Sequence, residues 1–114
     1  MSVDRTDYIV YGWKLPYEMK NSKGDQIDFW DDKFLPMIEG HEDEAYSLII
    51  DGMMGEYTVF GIVIEQDEDG NGWDFVHLSG VRVNHDHLKD KYREIFDVEG
   101  EVADPYLFIF SHFH

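Results

Sequence analysis

The chain has 114 residues with 9 Lys and Arg against 25 Asp and Glu, a formal net charge of −16. So few cations cannot build the basic face that phosphate neutralisation needs, which excludes most nucleic-acid binders and disfavours a helix lying on anionic lipid. Apolar content of 43%, with 16% aromatic residues, is too high for a disordered acidic tail, and the length predicts one folded domain, 1–114.

In chain order, Tyr8-Ile-Val-Tyr-Gly-Trp-Lys-Leu15 is rich in β-branched and aromatic residues and stops at Pro16, predicting a strand. Tyr17 to Gln26, with Asn21, Ser22, Lys23 and Gly24, has no period and predicts a loop. Ile27, Phe29, Trp30, Phe34, Leu35 and Ile38 then recur at spacings of three and four before Gly40, predicting a short helix shortened by Pro36. Ala45–Asp51 and Glu56–Gln66 read as two strands of an antiparallel hairpin, joined by Gly52-Met-Met-Gly55, where two glycines supply positive φ. The two methionines are expected to fold back on the core.

Asp67–Gly72 predicts a polar turn and Trp73–Leu78 a short extra strand. Asp86–Asp97 places Leu88, Tyr92, Ile95 and Phe96 on one helical face, with Gly100 as its stop signal. Pro105–His114 reads as a final strand, its Tyr106, Phe108 and Phe110 stripe serving the core or cross-strand pairs. This order predicts an α+β fold, an antiparallel sheet of four to five strands with two helices on one face. Without the extra strand it is βαββαβ, the ferredoxin-like order.

The absences narrow the chemistry. With no cysteine there are no disulfides, thiolate metal sites or cysteine nucleophiles, and a cytoplasmic home is the simplest expectation. No apolar run approaches a membrane span. There is no phosphate loop, dinucleotide fingerprint, nucleophile elbow or HExxH helix, so neither a cofactor nor catalysis is expected.

The charge is unevenly spread: residues 1–24 hold four cations and three anions, 25–78 one cation against fifteen anions, and 79–114 four against seven. Asp25, Asp28, Asp31 and Asp32 precede or enter the first predicted helix. Glu39, Glu42, Asp43 and Glu44 follow it, and Glu65, Asp67, Glu68, Asp69 and Asp74 surround the second turn. A compact domain loses stability to such self-repulsion, so the clusters call for a solubility or binding reason. Spaced carboxylates can imitate phosphates in the basic groove of a nuclease or other nucleic-acid-binding protein. Trp30 and Trp73, with Tyr46 and Tyr57, supply aromatic anchors among them. The plainer reading is an acidic, solvated surface.

Two segments carry metal-ligand residue types, each with a plainer structural use. Asp67-Glu-Asp-Gly-Asn-Gly72 fills the first six places of a calcium loop, yet Leu78 stands where the bidentate acid belongs and Asn-Gly suits a hairpin turn. His85-x-His87 and His112-x-His114 are spaced pairs, with His41 and His77 apart; only on a strand would such a pair face one way. No metal is expected. A carboxylate pair for acid–base work, for instance Asp51 with Glu56 across the hairpin, needs a cleft that shifts one pKa.

In size, lack of cysteine and the acidity of residues 25–78, and in the segments Tyr8–Leu15 and Asp51–Ile64, the chain resembles small acidic proteins of bacteriophages and mobile elements. These include anti-restriction proteins, anti-CRISPR proteins and uracil-DNA glycosylase inhibitors. The resemblance implies a non-enzymatic inhibitor in the cytoplasm of a bacterial host, binding a host nucleic-acid-binding protein through a DNA-mimicking face. The inhibitors have unrelated folds, so it transfers no target and no individual site residue. The alternative is a small interaction module, metal-linked or homodimeric.

Overall fold

The computed structural model describes residues 5–38, 46–67 and 85–113. Its elements are β1 (Arg5–Pro16), a 3-10 turn (Asp32–Phe34), the single-turn α1 (Leu35–Ile38), β2 (Ser47–Ile50), β3 (Tyr57–Asp67), α2 (His85–Phe96) and β4 (Tyr106–Phe113). The strands form one sheet in the order β2-β3-β1-β4, with every neighbour antiparallel.

The predicted two-helix, ferredoxin-like βαββαβ arrangement is not what forms. Among the described residues there is one full helix, α2, against a four-stranded antiparallel sheet. The first predicted helix fails because its carboxylates bind their own backbone. Asp28 Oδ1 accepts the N–H of Trp30 at 3.0 Å, and Asp31 Oδ1 accepts that of Lys33 at 3.1 Å. Such Asx turns offer an alternative to the helical bond pattern, and only the turn around Pro36 remains helical. The predicted turn and strand over 68–78 lie outside the described residues.

Helix α2 follows the spacing read in the sequence: Leu88, Tyr92 and Phe96 are buried, and Ile95 is partly buried against them. Its stop is not Gly100 but Asp97, a non-glycine residue at φ 53°, and the Val98 N–H donates to the Arg93 carbonyl at 3.1 Å. That is a Schellman closure carried by a residue that dislikes the left-handed region. Asp97→Gly is therefore expected to stabilise the fold by about 0.5–1 kcal/mol, read as a higher urea midpoint at unchanged slope.

One face of the sheet carries the main core. Trp13 and Leu15 of β1, Leu48 and Ile50 of β2 and Phe60 of β3 meet Leu88, Tyr92 and Phe96 of α2, together with Ile27, Phe29 and Phe34. Phe60, fully buried, has the rings of Phe96 at 5.2 Å, Trp13 at 6.0 Å and Tyr92 at 6.2 Å. Burying each such side chain contributes roughly 1.5–3 kcal/mol. The Trp13 indole N–H donates to the Ala103 carbonyl at 2.8 Å, and Lys89 pairs with Asp104, so the residues just before β4 are tied to both β1 and α2.

The other face has a smaller cluster, Val10, Ile49 and Val59, lined by Tyr8, Tyr57, Val63, Phe108 and Phe110. Here the sheet is strongly coiled. Tyr57 lies on the rung of Pro16 and His112 on that of Thr6, rungs that a flat strand would hold about 33 Å apart. Yet the Tyr57 hydroxyl and His112 Nδ1 are 3.0 Å apart. Two features permit the coil. The register slips between Ile9 and Val10, a bulge that increases twist, and Gly12 faces Gly61 at the centre with no side chain on either. Tyr106 stands on the rung of Gly12, and its hydroxyl accepts the Lys14 N–H at 3.1 Å.

Candidate functional site

The segment from Asp25 to Phe34 turns its apolar residues inward and its acids outward. Ile27, Phe29 and Phe34 are buried, whereas Asp25, Asp28, Asp31 and Asp32 are exposed. Phe29 meets Phe96 edge-on at 5.9 Å and Phe34 at 6.2 Å, so the backbone under the acids is anchored in the main core. Upstream, Asn21 Oδ1 accepts the N–H groups of Lys23 and Asp25, and the Ile27 N–H donates to the Met19 carbonyl at 2.7 Å. Ser22 Oγ accepts the Glu99 N–H at 2.6 Å, joining this stretch to the end of α2. The result is a fixed acidic ridge.

Trp30 stands in that ridge 53% exposed. Its indole N–H donates to the Tyr17 hydroxyl at 3.3 Å. It separates two hollows, one of about 220 Å³ bordered by Tyr17, Gln26 and Asp28, the other of about 450 Å³ bordered by Ile38, Ile50, Met53 and His112. Met53 and Met54 beside it are 52% and 72% exposed, so they do not fold back on the core as the sequence suggested. Gly55 alone of the turn's glycines has positive φ, at 67°. Tyr17, the residue that orients Trp30, is a partner the sequence reading missed, because the contact spans a loop with no periodic signal.

The other predicted residues lie elsewhere. Glu65 and Asp67 occupy the last rungs of β3, opposite Ile9 and Asp7, and are not on the ridge. Asp7 is itself buried, and hydrogen bonds from Arg5 and Ser111 hold its carboxyl below the usual range. Glu39, Glu42, Asp43, Glu44, Glu68, Asp69, Asp74 and Trp73 lie outside the described residues, as does the candidate calcium loop beyond Asp67. His41, His77 and His114 lie outside them too. His87 is exposed beside the Tyr46 ring at 6.3 Å, and no group of three or more His, Asp or Glu among the described residues could hold a metal ion.

Asp51, the carboxylate considered for acid–base work, is committed to architecture. It is buried at 3% exposure, with Oδ1 accepting the N–H groups of Met53 and Met54 and Oδ2 that of Glu56. Burial pushes its carboxyl upward, but the donors at Met54, Glu56 and Met53, with the attraction of His112, outweigh that and hold it below the usual range. Glu56 contributes its backbone to this cradle and its side chain is exposed, so the two carboxylates form no pair. Tyr57 next to it is shifted the other way: burial, then the charges of Asp51 and Glu56, raise its phenol.

Among the described residues, no helix is long and apolar enough to cross a membrane. No family model, curated protein or solved structure matches the chain.

Proposed function

We propose that this protein acts without catalysis, as an inhibitor that occupies the basic groove of a host nucleic-acid-binding protein or nuclease with its acidic ridge. The observation that carries this reading is the placement of Asp25, Asp28, Asp31 and Asp32 around the half-exposed Trp30 on a backbone held by buried aromatics. Carboxylates on a rigid support engage a cationic groove without first losing side-chain and loop freedom, and a fixed tryptophan beside two hollows is the type of anchor that dominates interface energy. The only cation within the ridge, Lys33, lies over the Phe34 ring, 5.0 Å from its centre. The commitment of Asp51 to three backbone donors speaks for binding over acid–base chemistry.

The test is affinity capture from bacterial lysate by the wild-type chain and by a variant with Asp25, Asp28, Asp31 and Asp32 changed to Lys. The expected result is one nucleic-acid-binding protein, released by added duplex DNA, weakened steeply by salt and lost with the variant. Capture indifferent to DNA and to the four substitutions would refute the reading.

A further inference from the structure

The coil that brings Tyr57 to His112 turns the sheet face away from α2 into a trough. Within it lies a hollow of about 310 Å³, bordered by Lys14 of β1, Tyr57 and Val59 of β3, and Tyr106, Phe108 and Phe110 of β4. That volume stands at the lower end of the roughly 300–1,000 Å³ of small-molecule sites. The rings along β4 form a continuous wall, Tyr106 to Phe108 at 5.0 Å and Phe108 to Phe110 at 5.8 Å, and Phe110 meets Tyr57 edge-on at 5.8 Å. Two donors stand at the Lys14 end. The Lys14 ammonium lies over the Tyr57 ring, 5.9 Å from its centre, and makes no ion pair among the described residues, whereas Arg5, Lys23, Lys89, Lys91 and Arg93 each hold a carboxylate. The Tyr106 hydroxyl accepts the Lys14 N–H at 3.1 Å, which leaves its own proton without an acceptor among the described residues. No Asp or Glu among those residues borders the hollow.

We propose that this hollow binds a small aromatic carboxylate, its ring held between Tyr57 and the Phe108–Phe110 wall and its carboxylate held by the Lys14 ammonium and the Tyr106 hydroxyl. The walls select the ring, because aromatic side chains pack a further flat ring edge-on or offset. The donors select the carboxylate: an ammonium and a hydroxyl proton without acceptors supply two hydrogen bonds to one anionic group, the first of them charge-assisted. A cationic ligand would meet the Lys14 charge at the same place, and a neutral one would leave the ammonium uncompensated. Repulsion from the −16 of the whole chain is screened over about 8–10 Å near physiological salt, so the donors bordering the hollow decide the sign there. None of the bordering residues belongs to the ridge from Asp25 to Phe34, so this site and the inhibitor reading stand or fall separately.

Isothermal titration of the full chain with naphthylacetate and with the uncharged naphthylacetamide, which has the same ring and nearly the same size, tests the proposal. The acid is expected to bind one to one and at least about fivefold more tightly than the amide. Lys14→Met keeps an apolar stem at an exposed position and removes the ammonium, so it should abolish the preference for the acid while ring binding persists. Tyr106→Phe keeps the ring and removes the hydroxyl; it should weaken the acid more than the amide, and it serves if the first variant does not fold, as judged by circular dichroism. No binding of the acid at millimolar concentration overturns the proposal. So does equal binding of acid and amide, or a preference for the acid that survives in a folded variant.

Discussion

Gly12→Ala is expected to lower the stability of the fold by about 2–3 kcal/mol, through the addition of a single methyl group. A Cβ at Gly12 would collide with the Phe60 carbonyl oxygen and come within 2.6 Å of the Gly61 Cα. A Cβ at Gly61 would reciprocally come within 2.7 Å of the Gly12 Cα. The atoms met are backbone on both sides, so no side chain can swing away. Relief requires β1 and β3 to separate at the middle of their pairing, where the coil that brings Tyr57 to His112 is centred. Gly24→Ala is the matched control. It has φ 85° with nothing within 4 Å of an added Cβ, so it should show only the left-handed backbone penalty of about 1 kcal/mol. Urea melts of the two variants separate crowding from backbone conformation, and equal losses would show that the close approach of β1 and β3 is not what demands glycine.

Asp51→Ala is expected to cost about 2–4 kcal/mol, because it strips three backbone N–H groups of the β2–β3 turn of their acceptor at a buried position. Asp51→Asn should recover only part of this. One amide oxygen can still accept from Met53 and Met54, but the amide NH2 would face the Glu56 N–H, donor against donor. The same carboxylate sets a pH dependence. Its pKa in the fold is held below the ordinary aspartate value, so its contribution is complete above that ordinary value of about 3.9 and is lost as pH falls through the folded-state value. Wild-type stability should therefore decline on acidification below about pH 4 more steeply than that of Asp51→Ala, the difference between the two isolating this group from Asp7, which is shifted in the same direction. Equal slopes of unfolding free energy against pH would show that the cradle adds nothing to the carboxylate's acidity.

Strand positions and helix α2 were legible because they depend on local periodicity. Tyr8–Leu15 falls within β1, Glu56–Gln66 largely coincides with β3, and the predicted apolar face of Asp86–Asp97 is the buried face of α2. The first helix was misread because Ile27, Phe29, Phe34 and Ile38 satisfy a helical spacing, while Asp28 and Asp31 at intervening positions withdraw backbone donors from it. Periodicity reports which residues want burial and not where a polar side chain spends its hydrogen bonds. The ridge was half legible: its acids and Trp30 are plain in the sequence, but the Tyr17 hydroxyl that orients the indole is thirteen residues away. The exposure of Met53 and Met54 was likewise invisible, since a turn's sequence does not state which way it projects.

By itself the sequence determined the acidic balance, the lack of thiol chemistry, the strand-rich character and the amphipathic face of α2, because composition and short-range spacing act locally. Only the tertiary structure decided that Asp25 to Asp32 form one outward ridge, that Tyr57 and His112 meet, that Asp51 serves a turn and that β4 lies at an edge of the described sheet. The ridge's anchoring, the Tyr57–His112 contact and the strand order arise from residues far apart along the chain, and the Asp51 cradle, though local, is a hydrogen-bond choice; neither leaves a periodic mark in the sequence.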